Sequence, residues 1–235
     1  LLHPDMATWR VDPVAYPYPL GAGAGQYRAI GATVAMHYLD KIKRGINGAY
    51  QRLESGGARS GLSTLYTAVT GKATDTTSPI RVVLISSLAG GSGAGMLMTV
   101  ADTLRAIDNE GCKDIFGVLY TPDVFGGGGN ISGTTPNSLA AISEILNGYW
   151  WGGSINRAEE NPPAKNLGVL ASNGLPAALE ASGPRFPFLV GRTNARSVDH
   201  GSPSNLFSIV GRSLLSWTTD TAVQAEFIAY TIGNW

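Results

Sequence analysis

The residues best suited to carry chemistry form a glycine-rich run, Ala89–Gly95, between two apolar segments. Its only polar side chain is that of Ser92. A backbone of glycines can approach a phosphate closely and direct its N–H groups at it, and a helix that begins there adds the positive end of its dipole. The run therefore indicates a phosphate-binding loop in which the Ser92 hydroxyl donates a further hydrogen bond.

Two common phosphate motifs do not describe this run. A P-loop requires a Lys after the glycines, and none follows here. The dinucleotide fingerprint, counted from Gly91 and Gly93, requires a third glycine where Met96 stands. The run by itself is therefore an unspecific indication of phosphate binding.

Two other interpretations of these glycines remain open. Residues 90–94 resemble a loose hydrolase elbow, with Ser92 as the nucleophile, Asp123 after the next strand and His200 near the end of the chain. That interpretation predicts a serine hydrolase. In the other interpretation, the glycines only allow a helix and a strand to pack closely, and no ligand is involved.

A second glycine cluster favours the phosphate interpretation. Gly21, Gly23 and Gly25 alternate with small residues directly before a predicted helix. Such a cluster can form a second nest of backbone N–H groups. Two nests exceed what a single nucleophile requires, whereas a triphosphate can use both. A third candidate glycine loop lies at residues 126–129.

Three apolar runs rich in β-branched and aromatic residues predict strands at Ile80–Ser87, Ile115–Tyr120 and Phe186–Val190. Helical patterns between them predict an α/β fold, a Rossmann-like parallel sheet with helices on both faces. In such a sheet the loops after the strands meet at one edge, where ligands bind. We expect a single domain over residues 1–235 with a long irregular insertion at 149–185.

The helical periodicities make more specific predictions. An apolar residue at every fourth position from Ile30 to Ile46 predicts one long amphipathic helix. Residues 55–79 are rich in Gly, Ser and Thr and are expected to be mostly loop, with a short element around Leu62–Val69. A later helix should begin with Pro136 in its first position and end at Gly148.

The composition excludes several classes of protein. Lys plus Arg and Asp plus Glu both total 17, so no basic excess predicts nucleic-acid binding. No apolar run is long enough to span a membrane. Cys112 is the only cysteine, which is typical of a reducing compartment and predicts a cytoplasmic location. The chain begins without Met in a polar segment, so we expect a fragment of a longer protein.

Together these motifs resemble the tubulin/FtsZ superfamily of nucleotide-dependent filament proteins, and within it the divergent bacterial tubulin-like proteins. That family carries the pattern G-G-G-T-G-S-G between a buried strand and a helix, and Ala89–Gly95 matches it with small-for-small replacements. Gly21–Gln26 resembles the family's upstream loop at the terminal phosphate. The strand at 115–120 and the helix near Pro136 resemble the next family elements.

The resemblance implies a protein that binds GTP/GDP, with Mg²⁺ beside a triphosphate, and that self-associates into filaments or oligomers. It implies that Pro136 and Asn137 lie behind a ribose-contacting loop and that Asn194 or Asn205 contacts the base. Asn137 and Asn205 are open to a second interpretation as helix caps. The implied nucleotide-binding residues are Gly21, Ala22, Gly23, Ala24, Gly25, Gln26, Ala89, Gly90, Gly91, Ser92, Gly93, Ala94, Gly95, Pro136, Asn137, Asn194 and Asn205.

The chain also departs from the family pattern. The family's first phosphate loop has no counterpart, Thr135 replaces the acidic ribose contact, and no acidic N-x-D loop is present. GTP hydrolysis is therefore expected only if assembly supplies that catalytic loop. A structural subunit that keeps the fold without binding nucleotide stays an open alternative, and the residues do not distinguish guanine from adenine.

Overall fold

The elements that position both candidate loops are described by a computed structural model of the chain. It describes residues 21, 23–74, 80–107, 114–126, 132–151 and 182–234, without the side chains of 147–151 and 234. Ala22, Cys112, residues 127–129 of the third glycine loop and residues 152–181 of the expected insertion lie outside the described residues.

From the first strand onward, strands and helices alternate along the described chain as the sequence predicts. The helices are α1 (Arg28–His37), α2 (Leu39–Glu54), α3 (Gly56–Thr70), α4 (Gly91–Ala106), α5 (Thr134–Trp151), α6 (Pro203–Thr219) and α7 (Thr221–Asn234). The strands are β1 (Val82–Ser87), β2 (Ile115–Tyr120) and β3 (Phe186–Val190), and a 3₁₀ turn covers Pro122–Phe125. None of the described helices is both long and apolar enough to cross a membrane.

The three strands form one parallel sheet in the order β1-β2-β3. Residues 82–87 of β1 lie opposite residues 115–120 of β2, and residues 116–120 lie opposite 186–190 of β3. This arrangement confirms the predicted α/β, Rossmann-like fold. Because the strands are parallel, their carboxyl ends meet at one edge of the sheet, together with the loops that follow them.

Helices α4 and α5 cover one face of the sheet. Leu84 of β1 and Leu119 of β2 pack with Leu97 of α4 and Ile145 of α5. β2 is buried along its whole length, as expected for a central strand. Burying each such side chain stabilises the fold by about 1.5–3 kcal/mol. This packing holds the start of α4 close to the end of β1.

Helices α6 and α7 cover the opposite face through an aromatic cluster. The Phe116 ring centroid lies 4.9 Å from those of Phe186 and Trp217, and 5.3 Å from that of Phe227. The rings of Trp217 and Phe227 are 4.2 Å apart. The cluster lies over β2 and β3. β1 is an edge strand of the described sheet, and its Ile85 is 56% exposed.

The single helix predicted from Ile30 to Ile46 is instead two helices. α1 ends at His37 and α2 begins at Leu39, and Tyr38 between them has φ −99° and ψ 17°. The predicted apolar stripe also misses the buried face, because α1 packs through small residues, which carry little hydrophobic periodicity. Its buried residues are Gly31, Ala32, Ala35 and Met36.

The expectation of mostly loop at residues 55–79 is wrong, since α3 occupies Gly56–Thr70. The short element expected around Leu62–Val69 is part of this longer helix. The Ser55 hydroxyl accepts a hydrogen bond from the Ala58 amide at 3.3 Å, and Gly71 ends the helix at φ +69°. Local capping by a serine and a left-handed glycine therefore defines α3, without a buried apolar stripe.

The predicted bounds of α5 are also wrong. The helix begins at Thr134, two residues before Pro136, and continues through Gly148 to Trp151. Residues 149–151 of the expected irregular insertion are therefore helical. Pro136 is tolerated in the first turn because the amides of that turn have no partner within the helix.

Candidate functional site

The candidate phosphate loop lies at the carboxyl end of β1. The chain leaves β1 at Ser87 and enters α4 at Gly91. Gly90 is the extended N-cap residue and provides no side-chain cap, and Ser92 is exposed. The amides of Ser92 and Gly93 lie in the first turn, where no carbonyl of the same helix reaches them and the helix dipole is positive. This end of α4 is thus suited to an anion.

Three glycines of this run are required by packing. An added Cβ atom would lie 2.6 Å from a backbone atom of the α1 N-cap at Gly91, 2.4 Å from a carbonyl oxygen of β1 at Gly93 and 2.1 Å from a carbonyl oxygen of α1 at Gly95. All three distances are below 3.0 Å, which real Cβ atoms essentially never show. The predicted close packing of a helix on a strand is confirmed at Gly93, whereas Gly91 and Gly95 pack against the α1 region. At Gly90 the nearest such atom is 3.9 Å away. Phosphate binding stays a prediction.

A glycine outside the predicted motifs completes this contact. An added Cβ atom at Gly31 of α1 would lie 2.2 Å from the carbonyl oxygen of Gly91. The backbones of α1 and α4 therefore touch where the helices cross. The small residues Gly31, Ala32 and Ala35 indicate this close contact in the sequence, but they add little to the apolar periodicity of the helix.

The first glycine loop lies directly against the start of α4. Its Gly25 carbonyl oxygen accepts a hydrogen bond from the Gly91 amide at 2.7 Å. Gly23 and Gly25 have φ of +87° and +54°, a conformation that favours glycine. An added Cβ atom at Gly21 or Gly23 would meet no atom of the described chain within 4 Å. The structure thus brings the two predicted loops together, and none of the described residues covers Gly21 and Gly23 on the side where their Cβ atoms would lie.

A buried asparagine joins both loops to α5. The Asn137 side chain is 6% exposed, and its Nδ2 atom donates to the carbonyl oxygens of Gln26 at 2.7 Å and Ala89 at 3.0 Å. The Gln26 side chain accepts a hydrogen bond from the Gly133 amide at 2.8 Å. Asn137 is the fourth residue of α5, so its alternative interpretation as a helix cap is wrong.

Two glycine loops held together at one edge of a parallel sheet are what the resemblance to tubulin implies. A family model described as tubulin-like matches residues 2–232. The chain belongs to the tubulin-like family. No curated protein and no solved structure matches it. The family match covers both glycine loops and every described strand, and it confirms the resemblance drawn from the residues.

In this tubulin-like chain an ion pair also ties α1 to α5. The Arg28 guanidinium donates to both carboxylate oxygens of Glu144, with Nη1 and Oε1 3.0 Å apart and Nη2 in contact with Oε2. The two side chains are 14% and 31% exposed. A two-point, partly shielded pair stabilises more than a fully exposed one. It therefore helps to hold the helix that follows the first glycine loop.

The two candidate base contacts lie after β3, at the same edge of the sheet. The Asn194 side-chain oxygen accepts hydrogen bonds from the amides of Arg196 at 2.9 Å and Val198 at 3.1 Å. Asn205 Nδ2 donates to the His200 carbonyl oxygen at 2.7 Å. The cap of α6 is Ser202, and the capping interpretation of Asn205 is therefore wrong. Both asparagines are exposed, and both order the loop before α6.

The residues of the hydrolase alternative are not assembled in the tubulin-like structure. One carboxylate oxygen of Asp123 accepts from the Thr121 hydroxyl and the other from the Arg192 amide at 2.7 Å. Partial burial alone would raise the pKa of Asp123, but these hydrogen bonds outweigh it and lower the pKa. Among the described residues, no hydrogen bond joins Ser92, Asp123 and His200. Asp123 instead orders the turn after β2.

A buried carboxylate that the sequence reasoning missed lies further along α4. Asp102 is 0% exposed and accepts hydrogen bonds from the Ser182 hydroxyl at 2.7 Å and the Gly183 amide at 2.7 Å. Arg105 Nε donates to the Gly183 carbonyl oxygen at 2.6 Å. Burial raises the pKa of Asp102 to about 6, although the hydrogen bonds oppose that rise. α4 thereby anchors the chain that enters β3. A charged residue among apolar helix neighbours was the available signal.

The described part of the chain has no group of three or more His, Cys, Asp and Glu residues that could hold a metal ion. Mg²⁺ in nucleotide sites is commonly held by phosphate oxygens, water and only one or two carboxylates. The described side chains therefore fit Mg²⁺ only as an ion that arrives with the phosphates.

Proposed function

We propose that this tubulin-like protein binds a guanine nucleotide whose phosphates lie at the start of α4, between the two glycine loops. The observation that carries the proposal is the 2.7 Å hydrogen bond from the Gly91 amide to the Gly25 carbonyl oxygen. This bond holds the first loop against the first turn of α4, so one phosphate chain can contact both. An anion in that position is favoured by the helix dipole and by the first-turn amides.

The packing contacts narrow the set of phosphate donors within the Ala89–Gly95 loop. The donors assigned here are the amides of Ser92 and Gly93 and the hydroxyl of Ser92, because Ser92 is exposed at the helix start. The Gly91 amide already donates within the protein, and Gly95 lies against α1. We therefore assign Gly91 and Gly95 to the packing of the loop and not to contact with the ligand.

The other contacts rest on the family relation. Gly21 and Gly23 are assigned to the terminal phosphate because no described atom lies within 4 Å of a Cβ atom added at either glycine. The Asn194 side-chain oxygen accepts hydrogen bonds within the loop, so its amino group is the proposed donor to the base. The Asn205 amino group donates within the loop, so its side-chain oxygen is the proposed acceptor. Guanine and adenine both present an acceptor and a donor on the base-pairing edge, so a donor and an acceptor suit either purine, and the choice of guanine rests on the family relation. Mg²⁺ would supply charge neutralisation of the phosphates.

Self-association is the second part of the proposal, with the bound nucleotide as a switch for assembly in the cytoplasm. Exposed apolar residues on α3 support it. Leu62, Leu65 and Val69 are 52%, 60% and 72% exposed and recur at spacings of three and four residues along the helix. An apolar helix stripe that the described part of the chain leaves exposed is typical of an interaction surface. Hydrolysis is not part of the proposal for this chain.

A charge placed at the helix start tests the phosphate site. Ser92→Asp adds a negative charge at an exposed position where an acidic residue favours the helix, so folding should be kept. At about 4 Å from a phosphate charge the repulsion costs roughly 1–4 kcal/mol, which predicts at least about fivefold weaker binding of a fluorescent GTP analogue. Ser60→Asp on α3 is the matched control, since Ser60 is also an exposed helical serine. Gly93→Asp is unsuitable because its Cβ atom would lie 2.4 Å from the Ser87 oxygen.

Titrations with GTP, GDP and ATP analogues distinguish nucleotide binding at the start of α4 from binding elsewhere and from a structural subunit that binds no nucleotide. Binding of GTP that Ser92→Asp weakens and Ser60→Asp does not would support the proposal. Equal weakening by both variants, or none by either, would place the ligand elsewhere. Absence of binding to any of the three nucleotides, together with pelleting that does not respond to GTP, would favour the structural subunit that has lost its ligand.

A further inference from the structure

The two glycine loops are joined by a set of hydrogen bonds that we call the loop clamp. It consists of the Asn137 side chain, the carbonyl oxygens of Gln26 and Ala89, and the Gly133 amide that donates to the Gln26 side chain. Gln26 ends the first glycine loop and Ala89 begins the second. The clamp therefore spans both loops and the start of α5.

The geometry of a carboxamide makes this connection rigid. An Asn side chain carries two N–H groups in one plane, at a fixed angle to each other. In Asn137 one Nδ2 atom donates to both loops, at 2.7 Å and 3.0 Å, and the side chain is 6% exposed. Both donors are therefore used within the protein, and the separation of the two carbonyl oxygens is set by a single atom. The Asn137 amino group has no N–H left for a nucleotide.

We propose that Asn137 is a positioning residue, which sets the spacing of the two glycine loops so that one phosphate chain fits between them. The inference rests on the proposed nucleotide-binding function and changes the role that the family resemblance implies for Asn137. In this role Asn137 does not touch the nucleotide. It acts through the carbonyl groups of Gln26 and Ala89, which orient the peptide planes that follow them.

Two substitutions remove the Asn137 hydrogen bonds of the loop clamp in different ways. Asn137→Asp keeps the shape of the side chain but directs carboxylate oxygens at two carbonyl oxygens, and Asn137→Ala removes the polar group. Either change removes the donor that the Gln26 and Ala89 carbonyl oxygens share, so we expect binding of a fluorescent GTP analogue to weaken about 10- to 100-fold. Asn137→Asp should weaken binding at least as much as Asn137→Ala, because it adds repulsion to the loss.

The matched control loses a buried hydrogen bond that lies outside the loops. Ser182→Ala removes the hydroxyl that donates to Asp102, and Ser182 is 2% exposed. It should lower the free energy of unfolding by a comparable amount while it changes GTP affinity by less than about twofold, since the two sites share no partners. Hydrogen exchange adds a local readout. Exchange of the Gly91 amide, which is bonded to Gly25, should accelerate in both Asn137 variants and not in Ser182→Ala.

The outcomes separate this inference from the function on which it rests. If wild-type protein binds GTP and the Asn137 variants bind no more weakly than Ser182→Ala, the positioning role is overturned and the proposed function stands. Unchanged exchange at Gly91 in the Asn137 variants would overturn it as well. If the wild-type protein binds no nucleotide, the proposed function fails, and the positioning role fails with it.

Discussion

The contact between α1 and α4 can be tested with a single methyl group. Gly95 lies in the second turn of α4, where an added Cβ atom would be 2.1 Å from the carbonyl oxygen of Arg28. Ordinary van der Waals contact begins at 3.4 Å. In Gly95→Ala, α1 must therefore retreat by the difference, about 1.3 Å, because a backbone carbonyl has no rotamer with which to escape.

The expected change in the free energy of unfolding of Gly95→Ala is the sum of two opposing effects. Overpacking of a well-packed contact costs about 1–3 kcal/mol, and the upper end applies where backbone atoms collide. Replacing a helical glycine by alanine gains about 1 kcal/mol of helix propensity. We expect Gly95→Ala to lower the free energy of unfolding by about 2 kcal/mol, which corresponds to a fall of roughly 4–8 °C in Tm for a chain of this size.

Gly45→Ala provides the matched control. Gly45 also lies inside a helix, α2, but an added Cβ atom there would meet nothing within 4 Å. This variant should be stabilised by up to about 1 kcal/mol, since it gains helix propensity without a collision. Urea denaturation followed by circular dichroism measures both variants against the wild type.

The same measurement can refute the reasoning. If Gly95→Ala is as stable as Gly45→Ala, the backbones of α1 and α4 do not touch at this crossing. The glycines of the Ala89–Gly95 loop would then need another explanation than packing. If Gly95→Ala is destabilised but binds GTP normally after correction for folding, the packing role of the loop and its proposed ligand role are separate.

Two further predictions concern charged side chains. Because burial raises the pKa of Asp102 from 3.8 to about 6, the folded state holds more protons than the unfolded state between these values. The free energy of unfolding should therefore fall by up to about 3 kcal/mol as the pH rises from 4 to 7. Asp102→Asn should lack this pH-dependent fall when the free energy of unfolding is measured by urea denaturation at pH 5, 6 and 7. An equal fall in the wild type and in Asp102→Asn would contradict the prediction. For Arg28 and Glu144, a double-mutant cycle with alanine should give a coupling energy of about 1 kcal/mol, since the pair is partly exposed. A coupling that is zero at low salt would exclude an energetic role for the pair.

The strands and the topology could be predicted because their signals are local. The predicted bounds of β2 and β3 agree with the structure at Ile115–Tyr120 and Phe186–Val190. Each is a short run of β-branched or aromatic residues with turn-forming residues around it. Alternation of strands with helices then leaves a parallel sheet as the consistent arrangement, and the loops after the strands must meet at one edge.

The helix surfaces could not be predicted in the same way. The apolar stripe from Ile30 to Ile46 suggested a buried face, whereas α1 buries Gly31, Ala32, Ala35 and Met36. Which face of a helix is buried depends on the partner, and close backbone contact favours small residues that carry no hydrophobic signal. α3 was predicted only in part. Its apolar residues indicate a short element around Leu62–Val69, whereas its full extent, Gly56–Thr70, depends on the caps at Ser55 and Gly71.

The sequence by itself determined the α/β class, the position of both glycine loops and the membership of the tubulin-like family, because these depend on residue order and local pattern. Only the tertiary structure decided what the glycines and Asn137 do. A glycine that admits a ligand and a glycine that admits a neighbouring helix are the same residue in the sequence. The distinction lies in which atoms stand within 3 Å of the missing side chain, as they do at Gly91 and Gly95. Likewise, an asparagine near a helix start becomes a clamp only when two loops from distant parts of the chain bring their carbonyl groups to it.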